Sequence, residues 1–226
     1  MQRAQQTVDL VARRGETIAL VGENEQENTR WLQTLAGMNA PSAGTLLLCG
    51  ETPSREKRMP ARTGYLSAGA PLLSTFDVIT NVMLPRLYHL DETPETARGH
   101  ALELLRRTGF EGGNTLPAWL DRLSSFRVML ARALATDPAL LFVHEPFDIA
   151  LAPHWREMER VLMAVAANRA LVISTQNLSF VRRHAQRILF IAEDTRTYEG
   201  WEAFRSGGPQ VDAFLSAMPA FAGETA

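Results

Sequence analysis

A short apolar run that ends in a glycine and leads into a helix constrains the fold of this chain most. Residues 16–37 read GETIALVGENEQENTRWLQTLAG, with the apolar run at Ile18–Val21 and the glycine at Gly22. Apolar runs of this length suit strands that are buried on both faces of a parallel sheet. The sequence therefore predicts a buried strand, a tight turn and a helix in this order.

Strands and helices alternate along the rest of the chain. Strands are predicted at Thr17–Val21, Thr45–Cys49, Thr63–Leu66, Leu140–His144, Leu171–Ser174 and Ile188–Ile191. Helices are predicted at Thr29–Gly37, Pro94–Thr108, Ser124–Thr136, His154–Ala167 and Ser179–Gln186. The stretch 75–136 contains helices but no good strand. We therefore predict one domain over 1–226, with an α/β core at about 1–74 and 137–226 and an inserted helical subdomain at about 75–136.

Composition narrows the class of protein. The chain has 226 residues and is 46% hydrophobic, enough for one full core, and its net charge of −2 gives no case for nucleic-acid binding. No apolar run approaches the roughly 18 residues of a membrane span, and the first residues lack a signal-peptide pattern, so a cytoplasmic protein is expected. The single cysteine, Cys49, is interpreted as a small core residue, and the histidines lack metal-ligand spacing, so no metal site is expected.

The turn after the first strand has the frame of a phosphate-binding loop but not its key residues. Such a loop reads G-x-x-x-x-G-K-[ST]. Here the positions are Gly22, Glu23, Asn24, Glu25, Gln26, Glu27, Asn28 and Thr29. The first glycine and the final threonine match, whereas Glu27 replaces the second glycine and Asn28 replaces the lysine. An ordinary strand-turn-helix, whose glutamates suit a helix N-terminus, remains an alternative at this point.

These replacements oppose phosphate binding. The glycine permits a backbone that presents N–H groups to the phosphate, and the lysine neutralises its charge. Glu23, Glu25 and Glu27 instead add carboxylates, and two like charges 4 Å apart repel by about 4 kcal/mol at an effective dielectric of ~20. Arg30 lies two residues beyond Asn28, roughly 200° round the helix, so it is expected to point elsewhere.

Several segments in the same order resemble the nucleotide-binding domain of ATP-binding-cassette (ABC) transporters. GETIALVG precedes the loop and TLAGMNAPSAGTLLLCG follows it; GYLS, NVMLP, ARALATDPALLFVHEPF, LVISTQNLSFVRRHAQRILFI and EGWEAFRSGGPQVDAFLSA come next. The resemblance covers nearly all of the chain and implies the P-loop NTPase-like cassette fold. The NVMLP and FLSA segments are most similar to bacterial importers and to the lipid-trafficking ATPases of MCE-type systems.

The resemblance also assigns the positions at which the chain departs from the family. The Q-loop glutamine falls on Ala68 and the Walker B aspartate on His144, and neutral imidazole is a poor magnesium ligand. The second signature residue falls on Asp121, and the switch histidine on Gln176. The catalytic glutamate is retained as Glu145, which is read either as a catalytic base or as an inherited capping residue.

These departures together predict a pseudo-ATPase, because phosphoryl transfer depends on positioning and charge stabilisation. The resemblance implies a non-catalytic structural or regulatory subunit on the cytoplasmic face of a bacterial inner membrane, with a membrane-spanning subunit and an intact ABC ATPase subunit as partners. No cofactor is expected; ATP and Mg²⁺ enter only if the site works in an atypical way. A cytosolic interaction module is the other alternative. Apolar residues near Phe76, Val78 and Met83 are read as core or as a docking groove for the membrane subunit.

Overall fold

The structure is a computed structural model that describes residues 8–53, 62–67, 72–147 and 152–218. Its centre is a six-stranded sheet with the order β2-β3-β4-β1-β5-β6. The strands are β1 (Thr17–Gly22), β2 (Thr63–Ser67), β3 (Leu140–His144), β4 (Ala170–Ser174), β5 (Arg187–Ile191) and β6 (Arg196–Glu199). Strands β1 to β5 are parallel, and β6 pairs antiparallel with β5. The predicted α/β fold with a mostly parallel sheet is confirmed.

Eight α-helices accompany the described strands. They are α1 (Glu25–Leu35), α2 (Val78–His89), α3 (Pro94–Arg107), α4 (Arg122–Ala133), α5 (Ala152–Ala166), α6 (Leu178–His184), α7 (Gly200–Arg205) and α8 (Pro209–Ala217). A short 3₁₀ helix covers Pro117–Trp119. Helices α2, α3 and α4 lie between β2 and β3 in the chain and pack against one another. They occupy the stretch of the predicted helical subdomain, whose boundaries stay a prediction.

The sheet is buried on both faces, which explains the continuous apolar strands. Every residue of β1 is buried. Alternate side chains of one strand join different clusters, so that Ile18 and Leu20 pack with Leu32 of α1, while Ala19 and Val21 pack with the larger cluster on the opposite face. The candidate site lies at the carboxyl ends of these buried strands.

The predicted strand at Thr45–Cys49 is wrong. In the described part of the chain, this segment makes only an isolated bridge between Leu48 and Glu51. Cys49 and Gly50 form the turn between them with φ of 53° and 86°, and such positive values at both positions are typical of a tight hairpin turn. A strand needs a longer ladder than one bridge. Cys49 is also exposed rather than part of the core.

Other elements differ in their bounds. Helix α1 begins at Glu25, four residues before the predicted Thr29. Helix α3 starts with Pro94 as predicted, because proline is well suited to the first helical turn. Helix α2 was not predicted; Pro85 lies inside it. Helices α7 and α8 and strand β6 were not predicted either.

The apolar group before and within α2 belongs mainly to the core. Val78, Ile79, Val82 and Met83 are buried. Phe76 is different, because 41% of its surface is exposed. Among the described residues, no helix combines the length and the apolar character needed to cross a bilayer.

Candidate functional site

The candidate site lies where three neighbouring parallel strands end. β4 lies between β1 and β3, and its last residue, Ser174, is in register with His144 at the end of β3. Gly22 ends β1 at the same edge of the sheet. The carboxyl edge of a parallel sheet is where α/β proteins bind ligands. The sheet thus brings Gly22, Glu145 and Gln176 together from distant parts of the sequence.

Helix α1 starts almost immediately after β1. Asn24 caps it, since its side-chain oxygen accepts a hydrogen bond of 3.2 Å from the N–H of Glu27. The N–H of Asn28 donates to the carbonyl of Asn24 at 3.0 Å, which is already a helical hydrogen bond. Asparagine is a preferred N-cap residue, and acidic residues in the first turn favour the helix dipole. Local sequence therefore converts most of the eight-residue loop frame into helix.

Asn28, at the lysine position, points back to the strand. Its side chain is fully buried, and its Nδ2 donates to the carbonyl oxygen of Gly22 at 3.0 Å. Its Oδ1 makes no hydrogen bond with the part of the chain that the structure describes. A Cβ added to Gly22 would come within 2.7 Å of this Oδ1, so the close approach requires glycine here. Asn28 therefore ties the first turn of α1 to the end of β1.

Gln176 binds the same carbonyl from the other side. Its Nε2 donates to the oxygen of Gly22 at 3.0 Å. Its backbone N–H donates to Oε2 of Glu145 at 3.2 Å. The predicted switch position and the predicted Walker B glutamate are thus joined directly, and both are linked to the loop through Gly22.

Glu145 follows β3 in an unusual conformation. Its φ is 39°, a value that is uncommon for a residue with a side chain, and the residue is only 5% exposed. Its backbone N–H donates to the carbonyl of Ser174 at 2.9 Å, and its carboxylate accepts from Gln176. Both contacts fasten the turn after β3 to the end of β4. The contacts support the capping interpretation of Glu145, and strain at such a position is typical of sites that are held by their surroundings.

Thr29 and His144 form a second link between α1 and the strand ends. His144 Nε2 lies 2.7 Å from Thr29 Oγ1, and the hydroxyl also donates to the carbonyl of Glu25 at 2.8 Å. A hydroxyl has one proton, so both contacts are satisfied when His144 donates from Nε2. The last residue of the loop frame and the Walker B aspartate position are therefore in hydrogen-bond contact with each other.

The acidic residues of the loop frame face outward. Glu23, Glu25 and Gln26 are exposed, and Glu27 is partly buried. Arg30 is exposed too, in agreement with the helical geometry expected for it. Ala68, the predicted Q-loop position, lies outside the described residues.

Asp121 caps helix α4 in the way that Asn24 caps α1. Its Oδ1 accepts a hydrogen bond of 2.7 Å from the N–H of Ser124. This backbone hydrogen bond lowers the pKa of Asp121 below its ordinary value. The N-terminus of α4, at the signature position given by the family resemblance, therefore carries the chain's own carboxylate.

The sequence interpretation missed two contributors to this site. Ser174 is fully buried at the end of β4, and its Oγ makes no hydrogen bond with the described residues. Asn24 was named as a loop residue, but its role as a helix cap was not. Each left a signal in the sequence, since Ser174 ends an apolar run and Asn24 stands three residues before Glu27. No group of three or more acidic, histidine or cysteine residues is placed to hold a metal ion within the described residues.

The fold and this site define a P-loop NTPase-like cassette. The family model described as ABC transporter matches residues 5–148, well over half of the chain. The chain therefore belongs to the ABC transporter family.

Among its relatives is the uncharacterized ABC transporter ATP-binding protein YbbA of Escherichia coli K12, at 36% identity over 62% of this chain. The aligned part spans only 64% of YbbA. The Nod factor export ATP-binding protein I of Burkholderia orbicola is 32% identical over 82% of this chain and 62% of its own length. The dimeric cassette MJ0796 bound to ADP and Pi matches the fold with a TM-score of 0.73 at 19% identity, covering 85% of this chain and 88% of that one.

Proposed function

We propose that the chain is a non-catalytic subunit of a bacterial ABC transport system, retained for its shape and its contacts. The hydrogen bond from Asn28 to the carbonyl of Gly22 carries this proposal most directly. It places a neutral, buried amide where a nucleotide-binding cassette has a lysine. MgATP does not fit this set of residues.

The backbone of the loop supports the same conclusion. A phosphate-binding loop uses N–H groups that converge on the anion. In this chain, the N–H of Glu27 donates to the Asn24 side chain and the N–H of Asn28 to the Asn24 carbonyl. Phosphate binding would have to break these bonds and open the first turn of α1.

The position of the Walker B aspartate is unsuited to Mg²⁺ for a related reason. Mg²⁺ needs hard oxygen ligands in octahedral geometry, and an imidazole nitrogen replaces the carboxylate at His144. The Thr29 hydroxyl accepts from that imidazole and donates to Glu25. One carboxylate oxygen of Glu145 accepts from the backbone N–H of Gln176, so the carboxylate helps to fasten the turn after β3.

Its relatives indicate the setting in which such a subunit works. The names of YbbA, of the Nod factor export protein and of the lipoprotein-releasing protein LolD of Chromohalobacter salexigens describe ATP-binding proteins of transport or export systems. We propose that this chain likewise binds a membrane-spanning subunit on the cytoplasmic side of the inner membrane. An intact ABC ATPase subunit is the second partner, because it would supply the hydrolysis that this chain lacks. The proximity to MCE-type systems stays a prediction.

Isothermal titration calorimetry with MgATP tests the proposal, with YbbA as a cassette control. We expect a Kd above about 1 mM for this chain and no hydrolysis. Micromolar binding that also raises the melting temperature would refute the pseudo-ATPase and favour an atypical ATPase. Co-purification with a polytopic membrane protein then separates a transport subunit from a cytosolic interaction module.

A further inference from the structure

A groove between helices α5 and α6 lies outside the site described above. It has a volume of 430 Å³ and is lined by Trp155, Arg156, Glu159, Arg160, Met163, Arg183 and His184. We call it the arginine groove. Its lining contains three arginines, one histidine and one carboxylate, although the whole chain has a net charge of −2. The groove therefore concentrates positive charge on one surface.

An aromatic ring with two guanidinium groups forms the centre of the arginine groove. The Arg156 guanidinium lies 5.5 Å from the centroid of Trp155, and that of Arg183 lies 5.2 Å away. Both distances allow cation–π attraction. Met163 adds a second apolar side chain to the lining. The surface thus combines apolar contact area with directed N–H donors.

The single carboxylate of the groove is already neutralised. Glu159 accepts two hydrogen bonds from Arg183, at 3.1 and 2.9 Å, and a third contact of 2.6 Å joins it to His184. These bonds fix Arg183 in place over Trp155. A ligand therefore meets little repulsion from Glu159 and finds the ring of Trp155 beside a guanidinium that is held in place.

Arg156 is the arginine of the groove that can form a new ion pair with a ligand. Its guanidinium contacts Trp155 and makes no ion pair with the described residues. Arg160, by contrast, pairs with Glu157 at 2.7 Å. One arginine of the groove thus stands ready for an external carboxylate, in the planar geometry that favours two parallel hydrogen bonds.

We propose that the arginine groove binds an acidic segment of a partner protein, with a carboxylate on Arg156 and a neighbouring apolar side chain on Trp155. Charge complementarity selects an acidic partner, and the small groove volume suits one anchoring side chain. A membrane surface or nucleic acid is disfavoured because the basic groups form one groove on a chain of net charge −2. This inference does not depend on the nucleotide site being silent.

The groove is also connected to the candidate site through the core. Phe147, two residues after Glu145, packs on Phe180 with 5.1 Å between the ring centroids. Phe180 packs in turn on His184 at 4.9 Å. A partner in the groove would therefore contact the end of α6, the helix that follows Gln176. These ring contacts link the groove to the turn that follows β3.

Fluorescence anisotropy of a labelled peptide tests the proposal directly. The probe is a short fluorescein-labelled peptide in which glutamates surround one phenylalanine. We expect it to bind, to weaken as salt screens the charges, and to lose about tenfold in affinity with Arg156→Glu. A peptide with lysines in place of the glutamates is expected not to bind.

Arg205→Glu is the matched control, because Arg205 is an exposed arginine on α7 outside the groove and the net charge changes equally. Equal effects of the two substitutions would overturn the proposal, since they indicate non-specific attraction. So would peptide binding that Arg156→Glu leaves unchanged, or an absence of binding at millimolar peptide. Binding to phosphatidylglycerol vesicles but not to the peptide would replace it with a membrane surface. Circular dichroism confirms that each variant is folded.

Discussion

The hydroxyl of Thr29 makes hydrogen-bond contacts that link helix α1 to the end of strand β3. Because its proton goes to the carbonyl of Glu25, the oxygen can only accept from His144. Both hydrogen bonds are made together when the imidazole carries a proton on Nε2. The pair therefore works as a structural tie between α1 and β3.

We expect His144→Ala and Thr29→Val each to destabilise the chain, with a coupling of about 1 kcal/mol between them. Each change removes the same hydrogen bond, so the second costs less once the first is made. Chemical denaturation of the two single variants and the double variant gives the coupling free energy. Strictly additive losses would mean that the two side chains do not interact in solution.

Asn28→Lys is expected to lower the free energy of unfolding by about 3 kcal/mol, because it places a cation in a fully buried position and removes the bond to Gly22. Alone it is expected to leave MgATP binding undetectable. Adding Glu27→Gly weakens the first turn of α1 and is expected to bring measurable binding without turnover. Urea denaturation and calorimetry provide the measurements.

Arg30→Lys is the control on the same helix, since Arg30 is exposed and is expected to tolerate the change. If Asn28→Lys alone bound MgATP at micromolar concentrations, the first turn of α1 would have to open readily. The helical start at Glu25 would then not oppose phosphate binding.

At the scale of elements, two helices that would present their N-termini to phosphate are capped by the chain itself. Asn24 caps α1 and Asp121 caps α4. The two caps differ in charge, because Asp121 carries a carboxylate and Asn24 a neutral amide, so lowering the pH affects them differently. Only the cap of α4 can be lost by protonation.

Asp121→Ala is expected to cost about 1 kcal/mol at neutral pH, the usual value of an N-cap. The folded state lowers the pKa of Asp121, so this stabilisation is present above the ordinary aspartate pKa and is lost as pH falls through the lower, folded value. The difference between wild type and Asp121→Ala should therefore shrink in acid. Thermal unfolding across pH measures it, and Asp121→Asn, which keeps a cap without a titrating group, should show little of this trend.

Two-sided burial made most of the sheet predictable. Thr17–Val21, Leu140–His144, Leu171–Ser174 and Ile188–Ile191 are continuous apolar runs, and each lies within or close to an observed strand. Thr45–Cys49 has a similar composition but lacks a described neighbour beyond one bridge. Composition does not indicate whether a neighbouring strand will pair with a given segment, and so the strand prediction for Thr45–Cys49 failed.

The sequence predicted which residues lie at the site but not which hydrogen bonds they make. The family resemblance assigned Gly22, Glu145 and Gln176 to one site, and the structure brings them together by hydrogen bonds at the strand ends. The early start of α1 was missed because the loop frame suggested an extended turn. A cap such as Asn24 acts only through the backbone that it fixes, and this is why the frame alone did not indicate it.

At the scale of the whole molecule, nucleotide should not drive dimerisation. Light scattering is expected to give the same molecular mass with and without MgATP. In a dimer that holds nucleotide between two copies of this chain, Asp121 and the exposed Glu23 and Glu25 would bring carboxylates to the shared interface, where they repel. A shift to a dimer that requires MgATP would contradict both the charge argument and the proposed function. YbbA serves as the cassette control under the same conditions.

Contact with a membrane subunit should use exposed rather than buried apolar residues. Phe76→Asp is expected to abolish co-purification with that subunit while circular dichroism stays unchanged, since Phe76 is 41% exposed. Leu102→Asp is the matched control, because Leu102 is 45% exposed on α3. Val78→Asp is unsuitable, since it would bury a carboxylate in the core. Equal retention of both variants would remove the docking-groove hypothesis.

The carbonyl of Gly22 receives two amide donors from within the chain, one from Asn28 and one from Gln176. A cassette that gains stability by binding ATP has a melting temperature that follows the concentration of its ligand. Under the proposed function this chain has no such linkage, because it does not bind MgATP. Its folded population would then stay constant when a starving cell runs down its adenylate pool, unlike that of a partner cassette that binds ATP.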